Sequence, residues 1–157
     1  EIIREFVDAN GAPISRVTVG NEFFVRIRLR ATNREFQPQL AVVDLLPGGV
    51  EPVIELQPAA NSSEPGDDPA MRRQRGAASA LPVGVPGKSD WTPEHIDVRE
   101  DRIILYGGAS KNVATFTYRV RANNVGTYVV PPAFAEGMYN RTIVGLSKGA
   151  TIEVIKP

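Results

Sequence analysis

Residues 25–30 read Val-Arg-Ile-Arg-Leu-Arg, and this alternation decides the predicted fold. Successive side chains of a β-strand point to opposite faces, so the apolar residues share one face and the arginines share the other. Residues 116–122, Phe-Thr-Tyr-Arg-Val-Arg-Ala, repeat the pattern. We predict two strands with arginines outward (Arg26, Arg28, Arg119 and Arg121) and with these side chains buried between two sheets: Val25, Ile27, Leu29, Phe116, Tyr118 and Val120.

Shorter runs rich in β-branched and aromatic residues predict further strands at 2–7, 17–19, 40–44, 53–56, 96–98, 103–106, 128–130, 142–146 and 151–155. Turn residues separate them at Asn10-Gly11, Pro47-Gly48-Gly49, Gly107-Gly108, Asn123-Asn124 with Gly126, and Lys148-Gly149. Many short strands with regular turns are typical of a sandwich or barrel. The sequence therefore predicts an all-β fold, an antiparallel β-sandwich of seven or more strands, as one domain over residues 1–157.

The composition excludes several classes of function. The chain has 157 residues, 18 basic and 18 acidic side chains and a formal net charge of zero, which disfavours a general nucleic-acid binder or an acidic partner. It has no cysteine, which excludes disulfides, thiolate metal sites, a cysteine nucleophile and an internal thioester. No cofactor and no metal site are predicted. The chain begins at Glu1 without a signal-like apolar run, so we expect it to be part of something longer.

Residues 57–90 form the weak region of the pattern, because they are rich in proline, glycine, serine and alanine and lack a sustained period. We interpret them as a long inserted surface loop. We predict one short helix in this loop, which ends at Arg75. Asp67 or Asp68 would cap it, Pro69 would be its first residue and Gly76 would terminate it. The same loop carries Arg72, Arg73 and Arg75, and we expect trypsin to cut the chain first there.

Residues 126–140 read Gly-Thr-Tyr-Val-Val-Pro-Pro-Ala-Phe-Ala-Glu-Gly-Met-Tyr-Asn. Pro131 and Pro132 lack an amide donor, so the strand must end at Val130. Gly137 then supplies the freedom for a turn that presents Met138 and Tyr139. The pair either caps the bottom of the core or contacts a partner surface, and the residues alone leave both interpretations open.

Few residues are candidates for chemistry. His95 is the sole histidine, and Glu94 and Asp97 could orient it, but the sequence has no glycine-flanked serine elbow, which favours ordinary surface placement. Glu100 and Asp101 lie where a hairpin tip is predicted and lack the ligand spacing of a calcium loop. Trp91 is predicted to pack in the core with its indole nitrogen bound to a carbonyl.

Four motifs together carry a family resemblance. They are Asp-Leu-Leu-Pro-Gly-Gly-Val-Glu at 44–51, Trp91 followed by Ile-Asp-Val-Arg-Glu-Asp-Arg at 96–102, Gly-Thr-Tyr-Val-Val-Pro-Pro-Ala at 126–133, and Glu-Gly-Met-Tyr-Asn at 136–140. With the motifs in this order and at this approximate spacing, the chain strongly resembles the last, C-terminal macroglobulin-like domain of bacterial alpha-2-macroglobulins. The resemblance extends from about Val17 to Ile155 and fails in the 57–90 loop.

The resemblance implies a macroglobulin-type sandwich, similar to fibronectin type III domains, in a protease trap. Members of the family are periplasmic, often lipid-anchored to the inner membrane, and trap attacking proteases when a bait segment is cleaved and a thioester in another domain reacts. The resemblance further implies that this domain is not an enzyme and packs on the thioester domain of the same parent chain. Its site residues would be Met138 and Tyr139, which shield the thioester from water.

Two rival functions remain at this stage. The first is a binding or spacer β-sandwich module of a multidomain cell-surface protein, which predicts no thioester domain in the parent gene. The second is an independent β-sandwich hydrolase, which would need His95 and a nucleophile in one cleft. A Cys-Leu-Glu-Gln segment in the parent gene would decide for the protease trap.

Overall fold

The computed structural model describes residues 1–57, 79–82 and 88–157. These residues form fourteen strands: β1 Ile2–Val7, β2 Arg16–Thr18, β3 Glu22–Leu29, β4 Phe36–Leu45, β5 Val50–Pro52, β6 Ile54–Gln57, β7 Ser79–Pro82, β8 His95–Val98, β9 Arg102–Ser110, β10 Ala114–Ala122, β11 Gly126–Val130, β12 Phe134–Gly137, β13 Val144–Leu146 and β14 Ala150–Ile155. The prediction of an all-β fold is confirmed.

The strands form two larger sheets and two smaller ones. The four-stranded sheet has the order β1-β3-β10-β5, and the five-stranded sheet has the order β13-β12-β4-β9-β8. The smaller sheets are β11-β14-β2 and the ladder β6-β7. All the pairs are antiparallel except β2 with β14, which run parallel.

The two strands with arginine alternation, β3 and β10, lie side by side in the middle of the four-stranded sheet. Tyr118 faces Val25 and Phe116 faces Ile27 across the pair, so their apolar faces coincide. All six side chains predicted to be buried are buried. They join one hydrophobic core with inward residues of the five-stranded sheet, among them Val42 and Leu105, as expected for two packed sheets.

The predicted turn at Gly107-Gly108 is wrong, because both glycines lie inside β9, which pairs with β4. A Cβ on Gly107 would lie 3.1 Å from the Trp91 ring, and one on Gly108 would lie 2.3 Å from the Phe36 ring. Two aromatic rings distant in sequence therefore cover this strand where it has no side chains. The glycines allow close approach here and do not turn the chain.

The strand before Pro131 ends at Val130, as predicted. Three residues later the chain forms β12, Phe134–Gly137, which the sequence pattern did not predict. β12 lies between β4 and β13 and pairs antiparallel with both. It therefore brings the chain back into the five-stranded sheet directly before Met138.

The hairpin predicted at Arg99–Arg102 is confirmed, since β8 and β9 pair antiparallel and the Arg99 amide donates to the Arg102 carbonyl at 2.9 Å. In the predicted 57–90 loop, residues 79–82 form β7, which pairs with β6, so that part of the loop prediction is wrong. The predicted helix at 67–75 and the expected tryptic sites at Arg72 to Arg75 lie outside the described residues. Within the described ranges no helix is long and apolar enough to cross a membrane.

Candidate functional site

Met138 and Tyr139 lie at the tip of the connection between β12 and β13. Tyr139 is 80% exposed and Met138 is 46% exposed, so neither side chain caps the core. The expectation that both stand at the domain surface is confirmed. The two large side chains are exposed next to each other, and they form the candidate site.

The tip is ordered by hydrogen bonds within its own connection. The Gly137 amide donates to the Ile143 carbonyl at 2.9 Å, and the Ile143 amide donates to the Asn140 carbonyl at 3.1 Å. The Asn140 side-chain oxygen accepts from the Thr142 amide at 3.1 Å and from the Thr142 hydroxyl at 2.7 Å. These hydrogen bonds form a network that orders the backbone of the connection.

Gly137 has a different role from the one predicted. It does not adopt a left-handed conformation but ends β12 as a buried residue. A Cβ there would lie 2.6 Å from the Asn140 carbonyl oxygen and 3.2 Å from the Ile143 Cβ. The glycine is needed because the returning chain passes directly over it, not because the backbone must turn.

A second anchor comes from β4. The Met138 amide donates to the Gln39 carbonyl at 2.8 Å, which extends the β4–β12 ladder by one bond into the tip. Gln39 has φ 54°, the left-handed region that residues other than glycine seldom adopt. The carbonyl that anchors Met138 thus belongs to a residue with an unusual backbone conformation in a neighbouring strand.

A surface depression of about 490 Å³ adjoins the tip. It is lined by Gln39, Glu94, His95, Asp97, Tyr106, Met138 and Tyr139. His95 and Tyr106 are paired across β8 and β9, with ring centroids 5.7 Å apart and ring planes 34° apart. The structure therefore brings the sole histidine beside the Met138–Tyr139 pair, which the sequence did not predict.

The depression contains the histidine that the rival hydrolase hypothesis requires. His95 is exposed, as predicted, and Glu94 and Asp97 are its neighbours in the depression. No serine or threonine is among the residues that line it. Among the described residues there is also no cluster of three or more histidines and carboxylates that could hold a metal ion.

The other sequence candidates have structural roles. Trp91 is buried and its indole nitrogen donates to the Gly108 carbonyl at 2.8 Å, as predicted. Asp101 at the hairpin tip pairs with Arg102 at 2.7 Å, and this hydrogen-bonded arginine holds the pKa of Asp101 below its usual range. The acidic tip is thus partly neutralised by its own neighbour.

The two rows of arginines find partners within the chain. Arg26 and Arg28 both contact the Glu5 carboxylate at 2.9 Å. On the next strand Arg119 and Arg121 contact Glu22, at 3.3 and 2.6 Å. Hydrogen bonding to Arg121 is the main cause of the lowered pKa of Glu22. These rows therefore need no outside partner to balance their charge.

Sequence reasoning missed a buried polar cluster of Arg4, Asp44 and Tyr118. Arg4 Nε lies 3.2 Å from Asp44 Oδ1 without a well-aligned hydrogen bond, and the Tyr118 hydroxyl donates to Asp44 Oδ2 at 2.5 Å. Burial raises the pKa of Asp44 although Arg4 and Tyr118 act in the opposite direction. The sequence contained a signal for the burial of Asp44, because Asp44 lies two and four residues after the inward residues Val42 and Leu40 of the same strand.

Comparison with protein families gives a match along most of the chain. Residues 1–141 match the family model described as the bacterial alpha-2-macroglobulin MG10 domain. The chain is 41% identical over 149 residues to an alpha-2-macroglobulin homolog of Yersinia pestis, and 29% identical over 147 residues to an alpha-2-macroglobulin of Pasteurella multocida. These matches cover 95% and 94% of this chain but only 7% and 6% of the two relatives.

Solved structures agree with the sequence matches. All of this chain superposes, at TM-score 0.70 and 25% identity, on 23% of a native Escherichia coli alpha-2-macroglobulin fragment that spans domain MG7 to the C-terminus. It also superposes, at TM-score 0.69 and 25% identity, on 9% of a chain of Escherichia coli alpha-2-macroglobulin in its native conformation, with 98% of this chain covered. The chain belongs to the family of bacterial alpha-2-macroglobulin MG10 domains.

Proposed function

We propose that this chain is the last, C-terminal macroglobulin-like domain of a bacterial alpha-2-macroglobulin that traps proteases. In this proposal the domain is not an enzyme and packs on the thioester domain of the same parent chain. Met138 and Tyr139 cover the thioester and exclude water from it. The parent would be periplasmic and anchored by lipid to the inner membrane, and its proteases would come from hosts or competitors.

The observation that carries the proposal is the exposure of Met138 and Tyr139 on an ordered tip. A side chain that covers a reactive group in another domain must stand out from its own domain, and Tyr139 is 80% exposed. It must also be held in place, since a mobile cover would admit water. The hydrogen bonds of Gly137, Met138 and Asn140 meet the second condition.

The chemistry of the two side chains suits a cover. Hydrolysis of a thioester requires that water reach the acyl carbon, and apolar contact around that carbon prevents it. The tyrosine ring supplies a large flat apolar face while its hydroxyl retains a hydrogen-bond partner, and the methionine thioether adapts to an irregular surface. Both can release again, because neither forms an ion pair with the partner.

The sheet beside the tip offers further surface for packing on another domain. On the outward face of the five-stranded sheet, Phe134 lies in register with Val43 on one side and Leu146 on the other. On edge strand β13, Val144 and Leu146 are each 66% exposed. This apolar row supports a contact with a second domain, since isolated surface apolar residues rarely line up in register.

The lifetime of the thioester in the full-length parent tests the proposal. We expect Tyr139→Ala to leave folding nearly intact and to speed the loss of the thioester to water and small amines, measured as the release of free thiol. Met138→Ala should act in the same direction and less strongly, since Met138 is less exposed than Tyr139. Val129→Ala is the matched control, because Val129 is 79% exposed on a different sheet.

Two results would reject the proposal. The first is a double variant of Met138 and Tyr139 whose thioester lasts as long as that of the parent. The second is a parent gene without a Cys-Leu-Glu-Gln segment, which would favour a binding or spacer module of a cell-surface protein.

A further inference from the structure

Gln39 is set apart from the rest of the described backbone. Among the residues that the structure describes, it is the one non-glycine residue with positive φ, at 54°. It is exposed on β4, so burial does not force it into this conformation. Left-handed conformations cost free energy for residues with a Cβ and persist where the surrounding structure holds them, often at functional sites.

The conformation belongs to a β-bulge. On β4, Gln37 faces Ala109 of β9 and Leu40 faces Gly107, so Pro38 and Gln39 together lie opposite the single residue Gly108. Bulges of this kind end regular pairing and redirect the chain, and they are frequent beside functional sites. Gln39 lies within this bulge, and its carbonyl is directed toward β12.

The Gln39 carbonyl contacts the tip of the candidate site. It accepts the Met138 amide hydrogen at 2.8 Å, directly beyond the last ladder pair, Gly137 with Leu40. The Gln39 side chain lines the same depression as Met138 and Tyr139. The bond therefore joins the tip to a residue that lies in the bulge and has a left-handed backbone.

We propose that Gln39 is a positioning residue, whose left-handed conformation in the β4 bulge holds the Met138–Tyr139 tip in its covering geometry. This inference rests on the proposed shielding function. It adds a residue of β4 to a site that the sequence located only at the tip. Gln39 acts through its main-chain carbonyl, so the conformational preference of the side chain at position 39 determines the effect.

The first experiment measures amide hydrogen exchange of the 157-residue chain by NMR. Gln39→Gly and Gln39→Asn tolerate the left-handed conformation, whereas the β-branched side chain of Gln39→Val opposes it. We expect the Met138 amide to exchange about fivefold to thirtyfold faster in Gln39→Val than in Gln39→Gly. This is the change in rate that follows from the free-energy cost of a left-handed conformation for a residue with a Cβ. The buried Tyr118 amide reports global opening and should exchange equally in both variants.

Two exchange results would overturn the inference. One is equal protection of the Met138 amide in all three variants. The other is a loss of protection in Gln39→Val that is as large at Tyr118 as at Met138, which would indicate a general loss of stability. If Gln39→Val does not fold, Gln39→Ala replaces it, with the same direction and a smaller change.

The second experiment measures thioester lifetime in the full-length parent, with Tyr139→Ala beside the Gln39 variants. We expect Gln39→Val to shorten the lifetime and Gln39→Asn to retain that of the parent. A shortened lifetime in Tyr139→Ala but not in Gln39→Val would reject the positioning role alone. An unchanged lifetime in Tyr139→Ala would reject the shielding function, and the positioning role in it.

Discussion

Gly49 lies directly beneath the ring of Tyr128, and this contact joins two of the motifs that carry the family resemblance. A Cβ on Gly49 would lie 2.1 Å from the Tyr128 ring, a distance that real Cβ atoms do not show. The Tyr128 hydroxyl donates to the Asn124 and Val125 carbonyls at 3.2 and 3.3 Å, which fixes the ring over the glycine. The two motifs are thus parts of one packing unit.

Gly49→Ala should therefore destabilise the chain by about 1–3 kcal/mol, the usual cost of forcing extra volume into a packed site. Gly48→Ala is the matched control, because a Cβ there would meet the Tyr128 ring at an ordinary 3.9 Å. Urea denaturation of the two variants measures the difference. Equal midpoints for both variants would show that the ring moves aside freely.

The buried cluster of Arg4, Asp44 and Tyr118 connects the two packed sheets. Arg4 and Tyr118 belong to the four-stranded sheet, and Asp44 belongs to β4 of the five-stranded sheet. The Arg4 guanidinium also lies 4.2 Å from the centroid of the Phe6 ring. A charge so placed is costly without its counter-ion, so the three side chains depend on each other.

Removing one member of the cluster should lower the free energy of unfolding more than removing both members of the ion pair. Asp44→Ala leaves Arg4 buried without its counter-ion, and we expect a loss of about 3–5 kcal/mol in the free energy of unfolding. The double change Arg4→Met with Asp44→Leu should cost far less, since no unpaired charge remains. Chemical denaturation measures both. A double variant that is less stable than Asp44→Ala would contradict this account of the cluster.

The sequence pattern predicted most reliably the strands in which apolar and charged side chains alternate. In β3 and β10 the alternation allowed six inward side chains to be named correctly, although buried Phe23 of β3 was not among them. It missed β12, whose residues Phe-Ala-Glu-Gly are too few and too weak in β-propensity to indicate a strand alone. β12 forms because β4 and β13 pair with it on both sides, and such long-range contacts leave no local pattern.

Only part of the candidate site was predictable from the sequence, because the rest depends on contacts between distant strands. Prolines and a glycine around Met138 and Tyr139 predicted a connection between strands, but the residues alone left open whether the pair caps the core, and the structure shows both side chains exposed. The Gln39 carbonyl, the His95 ring and the order of the tip could not be predicted. They come from strands that are near Met138 only after β4, β8 and β9 have joined one sheet.

Taken whole, the molecule presents the tip, the depression and the outward apolar row at neighbouring places on the five-stranded sheet. The arginine rows of the four-stranded sheet are paired internally with Glu5 and Glu22, so that sheet offers less free charge to a partner. Among the described residues, the surface that carries Met138 and Tyr139 is therefore the one on which we base the proposed packing against another domain.

Solvent accessibility of Tyr139 in the native full-length parent tests this account most directly. Hydroxyl-radical footprinting of Tyr139 should show rapid modification in this chain alone, where the side chain is 80% exposed. We predict strong protection of Tyr139 in the native parent and renewed modification after the thioester has reacted, with Val129 modified as a control throughout. Equal modification of Tyr139 in the chain alone and in the native parent would contradict the shielding function.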